Sequence, residues 1–428
     1  MASDRLNYWL IRTLTYPFGF LSYPWLRRWG RVLGSLAYYL LRDFRKRALS
    51  NVALATDLAL DAKQVRRLAK LSFQNLAINC LEYPKLSREK NWHQVFHCVN
   101  PDIAGDLYKK GQGVIFFCGH LSNWEVLFLD GTSRMQGIAI GKSIKNKRLY
   151  KWILSIREKN GGKIVSPSNA IKEGIRALKK GHFIGIVGDQ GMPNSGYSFP
   201  FLGRRAWTST APALLAYRTH SPIIFAETHR TNTGYEIRYA PPLWPDLSRP
   251  LEEEVTRLMD ALLSMLQESI RKYPGEWLWQ HNRWKQQTPQ NLFKRFRQDC
   301  ICAVLPRDPA AFAALLPHLT TLKTIYPRDF LFLLVPDSFR GAPLVEADEV
   351  TYYKDLAETL REDYRFKLIF DFANYPPLKR HYSRLSAFEV LDRPSLEALA
   401  APHLPLDRGY TFSDVLKRAL CRPGTLWN

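Results

Sequence analysis

The sequence predicts an α/β fold: a helical N-terminal region, a central α/β domain with a largely parallel sheet, and a smaller Rossmann-like α/β domain at the C-terminus. Three observations carry this. Strand-like apolar runs alternate with amphipathic helical patterns from residue 113 onward. The alternation stops at a polar stretch, KQQTPQNLFKRFRQ (285–298), and restarts beyond it. The charge balance changes at the same place: residues 1–298 hold 45 Lys/Arg against 22 Asp/Glu, whereas 299–428 hold 16 against 17. The boundaries therefore read as 1–90 for the helices, 91–290 for the domain that completes one unit with them, and 299–428 for the last domain.

Taken in order, residues 1–90 are helical, ending in VRRLAKLSFQNLAINCLEY with apolar residues at helical spacing. The runs GVIFFCG, GIAIGKS, HFIGIVGD, SPIIFAETHR and YEIRYAPPL read as strands. Between them, RLYKWILSIREKNGG and SNAIKEGIRALKKG read as helices, the second opening on a Ser168 cap and closing on Gly181. TSTAPALLAYRTH and EEEVTRLMDALLSMLQESIRKYP complete the helices of this domain. Past the linker come the strands ICAVLP, DFLFLLVP, KLIFDFA and AFEVLD, with helices at AAFAALLPHLTTLKTIY and DLAETLRED.

The net charge of +22 belongs wholly to the first two thirds, so that part meets something anionic. No recognisable nucleic-acid motif accompanies it, so no nucleic-acid partner is expected. Six cysteines without paired CxxC spacing exclude a disulfide framework and point to a reducing compartment without zinc. Residues 6–47 interleave Trp, Tyr, Phe and Leu with basic residues; counting Arg5 there are nine Lys/Arg, opposed only by Asp4 and Asp43. Such a segment suits an anionic membrane surface, so 1–90 reads as membrane-associated helices. Pro17, Gly19 and Pro24 interrupt its longest apolar run, which favours a monotopic attachment over a span.

The chemistry-bearing stretch is GVIFFCGHLSNWEV (113–126), where a buried-looking strand stops at Gly119 and presents His120, Asn123 and Glu125. The H-x4-E spacing alone is weak, since ten histidines among 39 acidic residues produce such pairs by accident, and His97 with Asp102 is another. Ser122-x-x-Glu125 also spells a capping box that would simply start a helix. Context separates the two pairs. His97 lies in a proline turn, but His120 lies at a strand end, on the rim where open α/β sheets bind ligands. A histidine there, with a carboxylate one turn into the next helix, matches a base and its orienting acid. Cys118 has no separate activating base and makes a poor nucleophile.

GHLSNWE resembles the H-x4-D/E motif of the lysophospholipid acyltransferase superfamily, in particular its lipid A lauroyl/myristoyl transferase branch. Four further segments resemble that branch in the same order. NKRLYKWILSIREKNGGKIV supplies Asn146 and Arg157, and IKEGIRALKKGHFIGIVGDQ supplies Asp189 and Gln190. SFPFLGRRAWTSTAPALLAYRTHSPII supplies Phe201, Gly203, Arg204 and Thr208, and YPGEWLWQHNRWK supplies Trp277, Trp279, His281 and Arg283.

The resemblance spans about residues 5–285 and implies direct transfer of an acyl chain to a hydroxyl of a lipid A precursor, with no metal or prosthetic group. His120 would be the general base and Glu125 its partner. Asn123, Lys142, Arg157, Asp189, Gln190, Gly203, Arg204 and Thr208 would bind substrate, with Phe201, Gly203 and Thr208 shaping the acyl channel. The donor would be acyl carrier protein or acyl-CoA, and the place the cytoplasmic face of a bacterial inner membrane. An acyl-CoA-dependent glycerolipid acyltransferase and a non-catalytic membrane-surface binder are the alternative readings. Where relatives commonly carry DQD, this chain has DQG, with Gly191 third. The C-terminal third weakly resembles half of a heptosyltransferase-type glycosyltransferase, but RDPAAF replaces a glycine-rich phosphate loop, so an accessory role is expected.

Overall fold

The computed structural model describes residues 2–427 except 288 and 290, in the expected linker, and 405–408, in the expected C-terminal domain. The chain forms two compact units, Met1–Leu41 with Arg67–Arg283, and Arg42–Arg66 with Trp284–Asn428. Four helices occupy most of residues 2–88: α1 (Ala2–Thr15), α2 (Tyr23–Leu40), α3 (Arg42–Leu54) and α4 (Ala62–Arg88). Among the described residues no helix is long and apolar enough to cross a membrane.

The first unit continues through α5 (Trp92–Val95), β1 (Phe96–Cys98), α6 (Asp102–Lys109), β2 (Val114–Cys118) and α7 (Glu125–Arg134). There follow β3 (Gly137–Ile140), α8 (Lys147–Arg157), β4 (Lys163–Val165), α9 (Ala170–Lys179) and β5 (Phe183–Val187). A hairpin of β6 (Ser198–Phe201) and β7 (Arg204–Trp207) precedes α10 (Ala211–Thr219), β8 (Ile223–Arg230), β9 (Tyr235–Tyr239) and α11 (Leu251–Lys272). Seven strands form one sheet in the order β1-β9-β8-β2-β5-β3-β4. Only β8 and β9 pair antiparallel; the other neighbours are parallel. All five residues of β2 are buried, as an unbroken apolar run in the middle of a covered parallel sheet requires. Helix α11 buries Val255, Leu258, Leu262 and Leu266 on one stripe, with three glutamates in its first turn and Arg271 and Lys272 in its last, both signs favouring the helix dipole.

The second unit holds β10 (Cys300–Val304), α12 (Pro309–Ile325), β11 (Phe330–Pro336), β12 (Glu349–Tyr353) and β13 (Leu368–Asp371). It ends with α13 (Pro377–Arg384), β14 (Glu389–Asp392), α14 (Arg393–Ala400) and α15 (Phe412–Leu420). Its all-parallel sheet runs β12-β11-β10-β13-β14, the doubly wound order. Asp308 accepts from Ala311 N–H at 2.7 Å, so a carboxylate occupies the helix start where a doubly wound fold would cradle phosphate.

Three expectations meet differences. Residues 42–66, grouped in the sequence reading with the N-terminal helices, belong to the second unit. The polar face of α3 explains this, because Lys46 donates to Ala387 O at 2.6 Å and Ser50 to Arg365 O at 2.8 Å. The helix expected over 355–363 shrinks to one 3-10 turn, Leu356–Thr359. Asp355 takes Ala357 N–H (2.8 Å) and Asp363 takes Arg365 N–H (3.0 Å), local bonds that compete with helix. Ser168 does not cap α9, which starts after a 3-10 turn at Pro167–Asn169.

Candidate active site

Strands β2 and β5 are adjacent and parallel, with Cys118 opposite Val187. Each is followed by a glycine and then a polar residue: Gly119 and His120 after one, Gly188 and Asp189 after the other. Because both polar residues stand the same two steps beyond paired strand ends, they meet. His120 Nδ1 lies 2.6 Å from Asp189 Oδ1, and the His120 backbone N–H donates to Oδ2 at 2.7 Å. The indole of Trp277 donates to the same Oδ2. Gly119 permits this approach, since a Cβ there would fall 2.5 Å from Leu266 and 3.2 Å from Asp189 Oδ2.

Burial alone would raise the Asp189 carboxyl. The His120 charge and the hydrogen bonds from His120 and Trp277 outweigh it, and hold the carboxyl well below the usual range. An ionised Asp189 keeps the proton on Nδ1, which leaves Nε2 as the basic nitrogen. Burial pushes the thiol of neighbouring Cys118 up, away from nucleophilic use.

Glu125 does not take the expected place beside His120. It is buried and binds Arg157 through both oxygens, with Arg157 Nε 2.7 Å from Oε2 and the other contact from Arg157 Nη2 to Oε1. Arg157 also reaches Tyr83 OH at 3.3 Å. The reason is helical position: Glu125 opens α7, and α8 brings Arg157 across to it. Nor does Ser122 cap α7. Ser122 sits at φ +48° with its hydroxyl unpartnered, and Asn123 Oδ1 takes Glu125 N–H at 3.3 Å instead.

The 119–124 loop is clamped from outside. Asn79 donates to Ser122 O at 2.6 Å, Ser122 N–H reaches Glu276 O at 2.8 Å, and Leu278 N–H reaches His120 O at 3.1 Å. Beneath it, Glu82 is fully buried and receives Asn123 Nδ2 at 2.7 Å, the Tyr235 hydroxyl and, at 3.5 Å, Arg27.

His120 stands on the wall of a cavity of about 820 Å³. Its lining runs from Gln190, Met192 and Lys142 inward past Glu125 and Arg157 to Phe116, Phe183 and Tyr239. The Phe116 ring contacts those of Phe183 (5.4 Å) and Tyr239 (5.1 Å). A chamber lined mainly by apolar side chains, with the His120 imidazole on its wall, has the size and character to take a hydrocarbon chain.

A family model for bacterial lipid A biosynthesis acyltransferases matches residues 2–286, two thirds of the chain. The chain belongs to that family. A search of curated proteins found no match. The activity of the family is acyl transfer in lipid A biosynthesis.

In this acyltransferase the expected site residues fall into two groups. His120, Glu125, Lys142, Arg157 and Gln190 line the cavity, with Gln190 Nε2 3.5 Å from His120 Nε2. Asp189 touches His120 from behind. Asn123, Gly203, Arg204 and Thr208 lie outside the lining, as does Phe201. Leu202 and Gly203, at φ +47° and +89°, make the turn of the β6–β7 hairpin rather than a channel wall. Phe201 packs on Trp277 and under the Arg283 guanidinium, and Thr208 accepts from Arg283 at 2.8 Å. Burial lowers that guanidinium to about 10. Gly191 has a steric reason, because a Cβ would come 2.6 Å from Arg283 O.

Sequence reasoning missed Trp277 as a partner of Asp189, and Trp124, whose ring meets His120 edge-on at 4.6 Å. A signal for the His120–Asp189 pairing existed in the repeated strand–Gly–polar endings, CGH and VGD.

Proposed function

We propose that the protein transfers a fatty acyl chain from an acyl thioester to a hydroxyl of a lipid A precursor, with His120 as general base and Asp189 as its partner. The observation that carries this is the 2.6 Å His120–Asp189 contact on the wall of the apolar cavity. His120 Nε2 removes the proton of the acceptor hydroxyl while Asp189 stabilises the imidazolium. The oxygen bonds to the thioester carbonyl carbon, the tetrahedral intermediate collapses, the C–S bond breaks, and the imidazolium returns the proton to the leaving sulfur. Gln190, beside Nε2, orients the incoming groups, and Lys142 meets acceptor phosphate at the mouth.

The cationic excess of residues 1–298 supports an acidic donor, acyl carrier protein, and an anionic acceptor. Exposed Trp9, Leu10, Leu14 and Phe20, near Arg5 and Arg12, support monotopic attachment to the cytoplasmic face of a bacterial inner membrane. The second unit, with Asp308 on its α12 start, serves as an accessory domain.

Mass spectrometry of lipid A from cells carrying wild-type protein, His120→Ala or Asp189→Asn tests the reading. Both variants should yield a product lighter by one acyl group. A spectrum unchanged in His120→Ala would overturn it.

A further inference from the structure

A second cavity of about 560 Å³ shares no lining residue with the first. Its size suits a small ligand or a lipid headgroup. Three guanidinium groups, Arg27, Arg31 and Arg230, line it together with the Glu276 carboxylate and the carboxamides of Gln74 and Asn75.

These charges do not cancel by contact. Arg27 is committed, 3.5 Å from Glu82 and bonded to the carbonyls of Thr231 and Gly234. Arg230 is gripped by the Asn75 and Asn79 side-chain oxygens, both neutral, and among the described residues no carboxylate lies within ion-pairing distance of it. Arg31 is exposed and likewise unpaired. Glu276, whose charge acts on Arg230 without an ion-pair contact, has its Oε2 buried without a hydrogen-bond partner. A buried carboxylate oxygen lacking a donor is costly.

A bare anion would answer the arginines and be repelled by Glu276. A phosphate carrying an N–H or O–H donor a few bonds away answers both. We propose that this cavity binds a phosphate ester bearing such a donor, of the phosphoethanolamine type, with Arg31 and Arg230 on the phosphate and Glu276 on the ammonium. The site also couples to the catalytic loop. Asn75 and Asn79, which hold Arg230, both donate to Ser122 O, two residues past His120.

Calorimetric titration of the full chain with phosphoethanolamine, inorganic phosphate and ethanolamine tests this without any acyl donor. Phosphoethanolamine should bind saturably and more tightly than either fragment. Arg31→Gln should weaken it about tenfold, the worth of one charge-assisted bond. Arg28→Gln, an exposed neighbour on the same helix outside the lining, should not weaken it. Glu276→Gln should erase the preference over inorganic phosphate.

Equal weakening by Arg31→Gln and Arg28→Gln, or no preference for phosphoethanolamine in the wild type, overturns the proposal. Cosedimentation with uncharged vesicles then separates the sources. Tighter binding to phosphatidylethanolamine-containing vesicles than to pure phosphatidylcholine assigns a membrane lipid, and equal binding assigns a soluble ester.

Discussion

Trp277 donates its indole N–H to Asp189 Oδ2 at 2.7 Å, the oxygen that also accepts the His120 backbone N–H. Between them these donors turn the carboxylate so that its other oxygen meets the imidazole. Trp277→Phe keeps an aromatic ring against Trp279 and Phe201 but removes the donor. Losing a donor to the charged form raises the Asp189 pKa. The variant should lose about tenfold in kcat, with KM little changed, and the acid limb of its pH–rate profile should move upward. A purely structural tryptophan would leave that limb where it was.

Asp189 and Glu125 should separate by assay. Asp189→Asn should lower kcat by about 10²–10⁴. Its carboxyl is depressed in the fold, so its contribution to stability is present above the unfolded value of about 3.9 and is lost as pH falls below that. Urea midpoints of wild type and Asp189→Asn should therefore differ at neutral pH and converge in acid. Arg157→Ala leaves Glu125 buried and unpaired, so it should cost about 3–5 kcal/mol in the same experiment. Lysine at 157 should not rescue it, because the pair uses two guanidinium nitrogens. A larger kcat loss in Glu125→Gln than in Asp189→Asn would reinstate Glu125 as the partner of the base.

Chain length has its own handle. Gly185 lines the His120 cavity, and a Cβ there would meet only ordinary contacts, 3.5 Å from Ala139 Cβ and 3.8 Å from Ile138 O. Gly185→Leu should place a side chain in the chamber and shift preference to shorter acyl thioesters, read as relative kcat/KM across a donor series. Unchanged preference would mean that the chain lies elsewhere.

What the sequence disclosed followed how local each feature is. The buried run of β2, the turn at Gly119 and the placing of His120 at the strand end depend on neighbours in the chain, and all could be read from residues 113–126. The partner of His120 could not be read there, because Asp189 is 69 residues away and reaches it only through the β2–β5 register. Glu125 had the right spacing, but a salt bridge to α8 claims it. In the second unit the apolar strands β10, β11 and β13 were plain. The half-buried β12 and the helices α13, α14 and α15 went unread, the helices because at eight or nine residues each spans too few turns for its apolar spacing to repeat.

The way His120 and Asp189 hang from neighbouring strands bears on which changes of chain length the protein can absorb. Lengthening a connection between residues 121 and 182 leaves both ends where the ladder holds them. A single residue added inside either strand would turn its tip to the opposite face and part the imidazole from its carboxylate, although every residue of the pair would still be present.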